Sequence, residues 1–224
     1  VYFRNGSANL SGSFSATQAS FYRSNTTMTG VVSSLGDTAV AECVLDLQNA
    51  TLASAVKNFP NLDVAYGTLI SDDDLTVSGH FNWNSGTLQG ANGGGSLTAN
   101  GGTEIVAGTV ARLTEGFRYV NPVGQVATLT GLYNNDRSLF LTDASVFQND
   151  GTLNMTGSVN LLGYSPQAEI LNNGQINVAV GSNTEFVRTP RIEAAVVVNS
   201  GTIDLQSGDL VLGEYYSGVT SSGV

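Results

Sequence analysis

Polar and apolar residues alternate along short stretches of this chain, and Asn and Gly separate the stretches. In Thr152-Leu153-Asn154-Met155-Thr156 the side chains of Leu153 and Met155 fall on one face, and Thr202-Ile203-Asp204-Leu205-Gln206 disposes Ile203 and Leu205 in the same way. A period of two is the signature of a strand with one buried face, so the pattern predicts strands of about four to six residues. Glycine or Asn-Gly at each break is expected to supply the positive φ of a tight corner. The one stretch of helical composition is residues 38–59, and a repeat echo inside it favours strand.

One phrase recurs as Asn84-Ser-Gly-Thr-Leu88, Asn149-Asp-Gly-Thr-Leu153, Asn172-Asn-Gly-Gln-Ile176 and Asn199-Ser-Gly-Thr-Ile203. From Asn149 onward the copies follow one another at a spacing of about 23 to 27 residues, and the interval from Asn84 to Asn149 is close to three such periods. Looser copies at Asn92-Gly-Gly and Asn100-Gly-Gly-Thr partly fill that interval. A second echo, Leu45-Asp-Leu-Gln and Ile203-Asp-Leu-Gln, ties the N-terminal part to the same architecture.

Strands at this density would also suit a β-sandwich or jelly roll. Three short strands and three corners per repeat instead describe one coil of a solenoid, which tolerates insertions at its turns. The expected fold is therefore all-β: a right-handed parallel β-helix with irregular coils of about 20–27 residues. Stacked coils would gather Asn84, Asn149, Asn172 and Asn199, with Gly86, Gly151, Gly174 and Gly201, into one corner ladder of hydrogen bonds. Leu153, Ile176 and Ile203 would stack beneath it. Residues 1–75 read as less regular opening coils and 76–224 as the regular repeats, in one continuous domain cut from a longer chain.

Composition narrows the function. Eighteen acids against eight bases give a net charge of -10, which disfavours nucleic acid and anionic membranes. Charged residues are only 12% of the chain, so its surface must be mostly neutral and polar. With one His and one Cys, neither a Cys/His zinc site nor a Cys-His pair with histidine support is expected, and Cys43 reads as a small buried hydrophobe. No apolar run approaches the length, about 18 residues or more, that a membrane-spanning helix needs.

The phrases Phe81-Asn-Trp-Asn-Ser-Gly-Thr-Leu-Gln-Gly90, Gly95-Ser-Leu-Thr-Ala-Asn-Gly-Gly-Thr-Glu-Ile105 and Val146-Phe-Gln-Asn-Asp-Gly-Thr-Leu-Asn-Met155 resemble the Gly/Asn/Thr-rich repeats of filamentous-haemagglutinin-like adhesins and autotransporter passengers. The resemblance covers about residues 75–213. It implies a secreted, extracellular stalk, adhesin or matrix component, with any enzymatic part in a separate module, so the chain is expected to be a non-enzymatic part of a stalk, surface layer, sheath or filament. Solenoid ends are expected to bind neighbouring repeats or further copies, and cell-surface glycans are the other expected partner. A carbohydrate-active enzyme of polysaccharide lyase or hydrolase type, or a glycan-binding module, on the same scaffold is the alternative.

Candidate chemistry is sparse. Asp72, Asp73 and Asp74 offer three carboxylates to Ca²⁺, but a solvated acidic turn is the better reading, because the acids are not interleaved with glycine at the spacing of a calcium loop. No other cofactor is implied. A polysaccharide hydrolase or lyase would need converging carboxylates and a base, and only Asp136-Arg137 and Glu115 near Arg112 and Arg118 offer both signs. Surface ion pairs are the better reading of those residues. Alternation places Trp83 in the core and His80 on the surface, Tyr215-Tyr216 could stack on sugars, and sequons occur at Asn5, Asn9, Asn25, Asn49 and Asn154.

Overall fold

A computed structural model of the chain describes residues 1–52, 57–131, 137–179 and 189–213. Among these residues there is no helix, and the strand ladders are parallel throughout. The chain winds into stacked coils, each contributing a strand to three faces.

The first face begins with the leading halves of Tyr2–Leu10 and Gln18–Met28. It continues through Asp37–Ala41, Leu62–Ala65, the leading halves of Phe81–Gly90 and Thr103–Thr114, then Val126–Thr130, Thr152–Thr156, Gln175–Ala179 and Thr202–Ser207. The second face takes the trailing halves of the long strands together with Val44–Asp46, Thr68–Ser71, Arg137–Leu141, Val159–Gly163, Arg191–Glu193 and Val211–Gly213. On the third face, Phe14–Ser15, Val31–Ser34 and Thr51–Leu52 form one short ladder. Asn58–Phe59, Asp74–Val77, Ser96–Ala99, Arg118–Asn121, Val146–Asn149, Glu169–Asn172 and Val196–Asn199 form another.

Register turns the alternation of the sequence into columns. Phe21, Val40, Val64, Trp83, Ile105, Leu129, Met155 and Val178 lie one above the other inside the first face. All are essentially without solvent contact. Leu153, Ile176 and Ile203 stack in the adjoining inward column. Burying each large side chain stabilises the fold by about 2 kcal/mol. Aromatic rings thicken the middle of the core: Tyr119 stacks on Phe147 at 5.1 Å, and Trp83 lies 6.2 Å from Tyr119.

The repeat length varies along the solenoid. It is shorter in the opening coils, where Tyr2 pairs with Ser20, than near the other end, where Gln175 pairs with Thr202. The corners absorb this variation unequally. Between the third and first faces, the last described coils keep the same short corner: Asp150-Gly151, Asn173-Gly174 and Ser200-Gly201. Elsewhere the connections lengthen and shorten, as in the register shift that follows Asn84. Only the constant corner leaves a regular phrase in the sequence.

The corner between the first and second faces works differently in the opening coils. Asn5, Arg23, Glu42, Tyr66 and Ser85 each sit there at φ between 49° and 60°, so a left-handed non-glycine residue turns the chain, followed by a glycine of positive φ at Gly6 and Gly86. Non-glycine residues adopt this conformation at a cost of about 1–2 kcal/mol. Small residues follow each one: Gly6, Ser24, Cys43, Gly67 and Gly86. A Cβ on Gly86 would stand 2.5 Å from Gly67 O, so stacked corners leave little room there.

Two sequence expectations change. The Leu45 and Ile203 echo joins different faces, because Val44–Asp46 belongs to the second and Thr202–Ser207 to the first. Glycine at the Asn-x-Gly corner does not serve a positive φ: Gly151, Gly174 and Gly201 are absent from the left-handed region. They are needed because successive corners touch, and a Cβ on Gly174 would lie 2.0 Å from Gly151 O.

Candidate functional site

The constant corner carries a buried asparagine stack. Asn121 Nδ2 donates to Asn149 Oδ1 at 2.7 Å, Asn149 Nδ2 to Asn172 Oδ1 at 2.7 Å, and Asn172 Nδ2 to Asn199 Oδ1 at 2.6 Å. The same amides reach the next coil's backbone, at Thr152 O, Gln175 O and Thr202 O. A carboxamide suits this place because it donates twice and accepts, and so satisfies both neighbours in a dry corner. Outside the ladder, Asn173 donates to Asp150 and Ser200 to Asn173, each at 2.7 Å, which continues the polar stack onto the surface.

Asn84 lies on the other corner, at the bend of Phe81–Gly90, with its Oδ1 buried and without a hydrogen-bond partner among the described residues. Gly86 accompanies it there. The structure thus brings together Asn149, Asn172 and Asn199 with Gly151, Gly174 and Gly201, and adds Asn121, which precedes a longer Pro-Val-Gly-Gln corner and so lacks the Asn-x-Gly signature. Below Asn121 the same column holds Ala99 and Val77, which cannot donate, so Asn121 Oδ1 ends the ladder unpartnered.

The three successive aspartates diverge. Asp72 accepts from Asn92 at 3.4 Å, Lys57 donates to Asp73, and Asp74 accepts from Ser96 Oγ at 2.7 Å. Asp73 N also bonds Ser71 Oγ at 3.1 Å. Asp73 beside it holds the Lys57 ammonium above its ordinary pKa. Among the described residues, no three of His, Cys, Asp and Glu are grouped as a metal would require.

Glu115 is exposed in a left-handed turn, and Arg118 donates to Gln148 at 2.7 Å. Asp136, the side chain of Arg137, and Tyr215-Tyr216 lie outside the described residues. Trp83 is fully buried and His80 is exposed.

A groove that the linear sequence does not reveal runs along the first face. It takes in about 760 Å³ beside Asp37, Asn61, Asp63, His80 and Asn82, and a second depression of about 450 Å³ continues from His80 to Glu104 and Thr128. Two outward columns line it. Gln18, Asp37, Asn61, His80, Gly102 and Val126 each precede an inward residue at the corner. Ser20, Ala39, Asp63, Asn82, Glu104 and Thr128 stand two positions further along. Asn61 Nδ2 donates to Asp37 at 2.9 Å and Asn82 Nδ2 to Asp63 at 3.3 Å. Burial raises the Asp63 carboxyl pKa, an effect that nearby His80 opposes.

Stacked parallel coils, an internal asparagine ladder and polar outward columns define the molecule as a parallel β-solenoid. Comparison of the chain with protein-family models, with curated proteins and with solved structures found no match.

Proposed function

We propose that this chain is an extracellular structural and adhesive β-solenoid, part of a stalk, sheath or surface filament, and that it is not an enzyme. The observation that carries this reading is the parallel ladder running from Tyr2 to Gly213, in which each coil's backbone is bonded to the next and corner amides reinforce the later coils. Such a body is stiff along its axis because its hydrogen bonds lie along that axis. The composition, low in charge and cysteine and rich in Asn, Ser and Thr, supports a hydrated outer surface.

Electron microscopy of the native full-length material tests the reading. Rods or fibres with layers spaced at about 4.8 Å are expected. Isolated compact particles would overturn the filament assignment. A test of adherence to cells and coated surfaces addresses the adhesive part independently.

A further inference from the structure

We propose that the axial groove on the first face is a binding site for an extended, uncharged oligosaccharide, held across successive coils by Asp37, Asn61, Asp63, His80, Asn82 and Glu104. The proposal rests on the adhesive reading above and gives it a site and a ligand class.

Geometry sets the shape of the ligand. The corner column from Gln18 to Val126 crosses five coil-to-coil steps, so the groove is about 24 Å long at the spacing of neighbouring strands. It lies parallel to the solenoid axis and repeats a pair of outward positions at every coil. A compact ligand would use only a fraction of it, whereas a chain of similar units can present the same groups to coil after coil.

Chemistry sets the class. Asn61 ties down one oxygen of Asp37 and Asn82 one oxygen of Asp63, and the second oxygen of each carboxylate stays available as an acceptor among the described residues. Fixed carboxylate acceptors beside carboxamides and one imidazole match hydroxyl groups, which donate and accept in turn. The small side chains of Ser20 and Ala39 leave the column low where Asp63 and Asn82 rise, and their carbon surface suits the C–H faces of sugar rings. Tyr2 also lines the groove with 59% of its surface exposed, an aromatic platform for a sugar ring.

Two competing ligands fit less well. A metal ion needs converging oxygens, and these acids are strung along the axis without a cluster of three. An anionic polymer would meet Asp37, Asp63 and Glu104, with His80 the one basic side chain among the described lining residues to offset them. A polycation is the serious competitor, since a chain of net charge -10 attracts it without any specific site.

The test is calorimetric and NMR titration of the whole chain with cellohexaose, maltohexaose, chitohexaose and their trimers, with spermine as the cationic control. Binding of at least one hexaose is expected, tighter than its trimer and little changed by about 0.5 M salt, where exposed charges are screened. Asp63→Asn and Asn82→Ala should each weaken it about tenfold. Ala39→Trp should block it by filling the groove while leaving the polar groups intact. Asn154→Ala, in the same outward column beyond the groove, should bind like the parent. Circular dichroism checks that each variant is folded.

Failure of every hexaose to bind, or binding of spermine alone that salt abolishes, overturns the proposal. The adhesive reading is judged separately on the same variants. Adherence that survives Ala39→Trp after sugar binding is lost leaves the groove as a sugar site and removes it as the basis of adhesion. Sugar binding by a chain that adheres to nothing keeps the groove and removes the adhesive reading.

Discussion

Asn149 donates its side-chain amide to Asn172 across 2.7 Å from one coil to the next, and accepts the amide of Asn121 at the same distance. Replacing an interior member should therefore cost more than replacing the end. Asn149→Ala strips an acceptor from Asn121 and a donor from Asn172 and leaves Gln175 O without its side-chain donor. A loss of about 3 kcal/mol is expected, against about 1–2 kcal/mol for Asn121→Ala, whose Oδ1 is already unpartnered. Urea unfolding midpoints of the two variants measure the difference, and equal losses would show that the second inter-coil bond of Asn149 adds nothing to stability.

Glycine substitutions separate two reasons for glycine. Gly174→Ala should be severely destabilising, by about 3 kcal/mol or more, because the new methyl would stand 2.0 Å from Gly151 O although φ is permissive. Gly93→Ala meets nothing within 4 Å and suffers only from φ +79°, so about 1 kcal/mol is expected. Gly213→Ala meets neither obstacle among the described residues and should be neutral. Thermal melting of the three variants ranks them.

The pH dependence of stability should carry the mark of Tyr119, whose hydroxyl donates to Thr103 Oγ1 at 2.7 Å inside the core. Burial drives its pKa upward, so the phenol ionises more easily in the unfolded chain. A raised folded pKa contributes stability that is complete below the ordinary tyrosine pKa of about 10 and is lost as pH rises beyond it. Tyr119→Phe should be less stable near neutrality, by about 1 kcal/mol for the lost hydrogen bond, yet lose less stability between neutral and alkaline pH. Parallel slopes for parent and variant would exclude Tyr119 as the source.

For Asp63 the sign is the same and the window acidic. Its folded pKa is raised by burial, so its contribution to stability is present below the ordinary carboxylate range and declines as pH rises through and above that range. The Asp63→Asn variant keeps an acceptor for Asn82 and has no charge to bury. Its melting temperature relative to the parent should therefore rise between about pH 3 and pH 6.

Cys43 follows its left-handed corner residue and is buried, with Sγ donating to Phe21 O at 3.2 Å, and desolvation holds its thiol pKa above the ordinary value. An aromatic disulfide reagent should leave it untouched in the native chain and modify it at the rate of unfolding. Rapid labelling under native conditions would contradict the packing of that corner.

Part of this was legible in the chain itself. Leu153, Met155, Ile176 and Ile203 announce inward columns through simple alternation, and Asn149, Asn172 and Asn199 announce a shared corner because each is followed by the same short x-Gly pair before the next strand. Asn121 escapes notice because Pro-Val-Gly-Gln follows it in place of that pair, and Asn84 misleads because a similar phrase serves a different corner. The groove left no local trace: Asp37, Asp63, Asn82 and Glu104 belong to four different coils, and only register makes them neighbours.

The sequence by itself determined that the chain folds as short strands with one buried face, stacked at a repeating corner, since side-chain alternation and a constant corner length are properties of neighbouring residues. Tertiary structure decided which corner each Asn-x-Gly phrase occupies, why its glycine cannot be alanine, and which outward residues form a continuous groove. Those outcomes depend on contacts between one coil and the next, where insertions at the variable corners shift the spacing along the chain without disturbing the ladder.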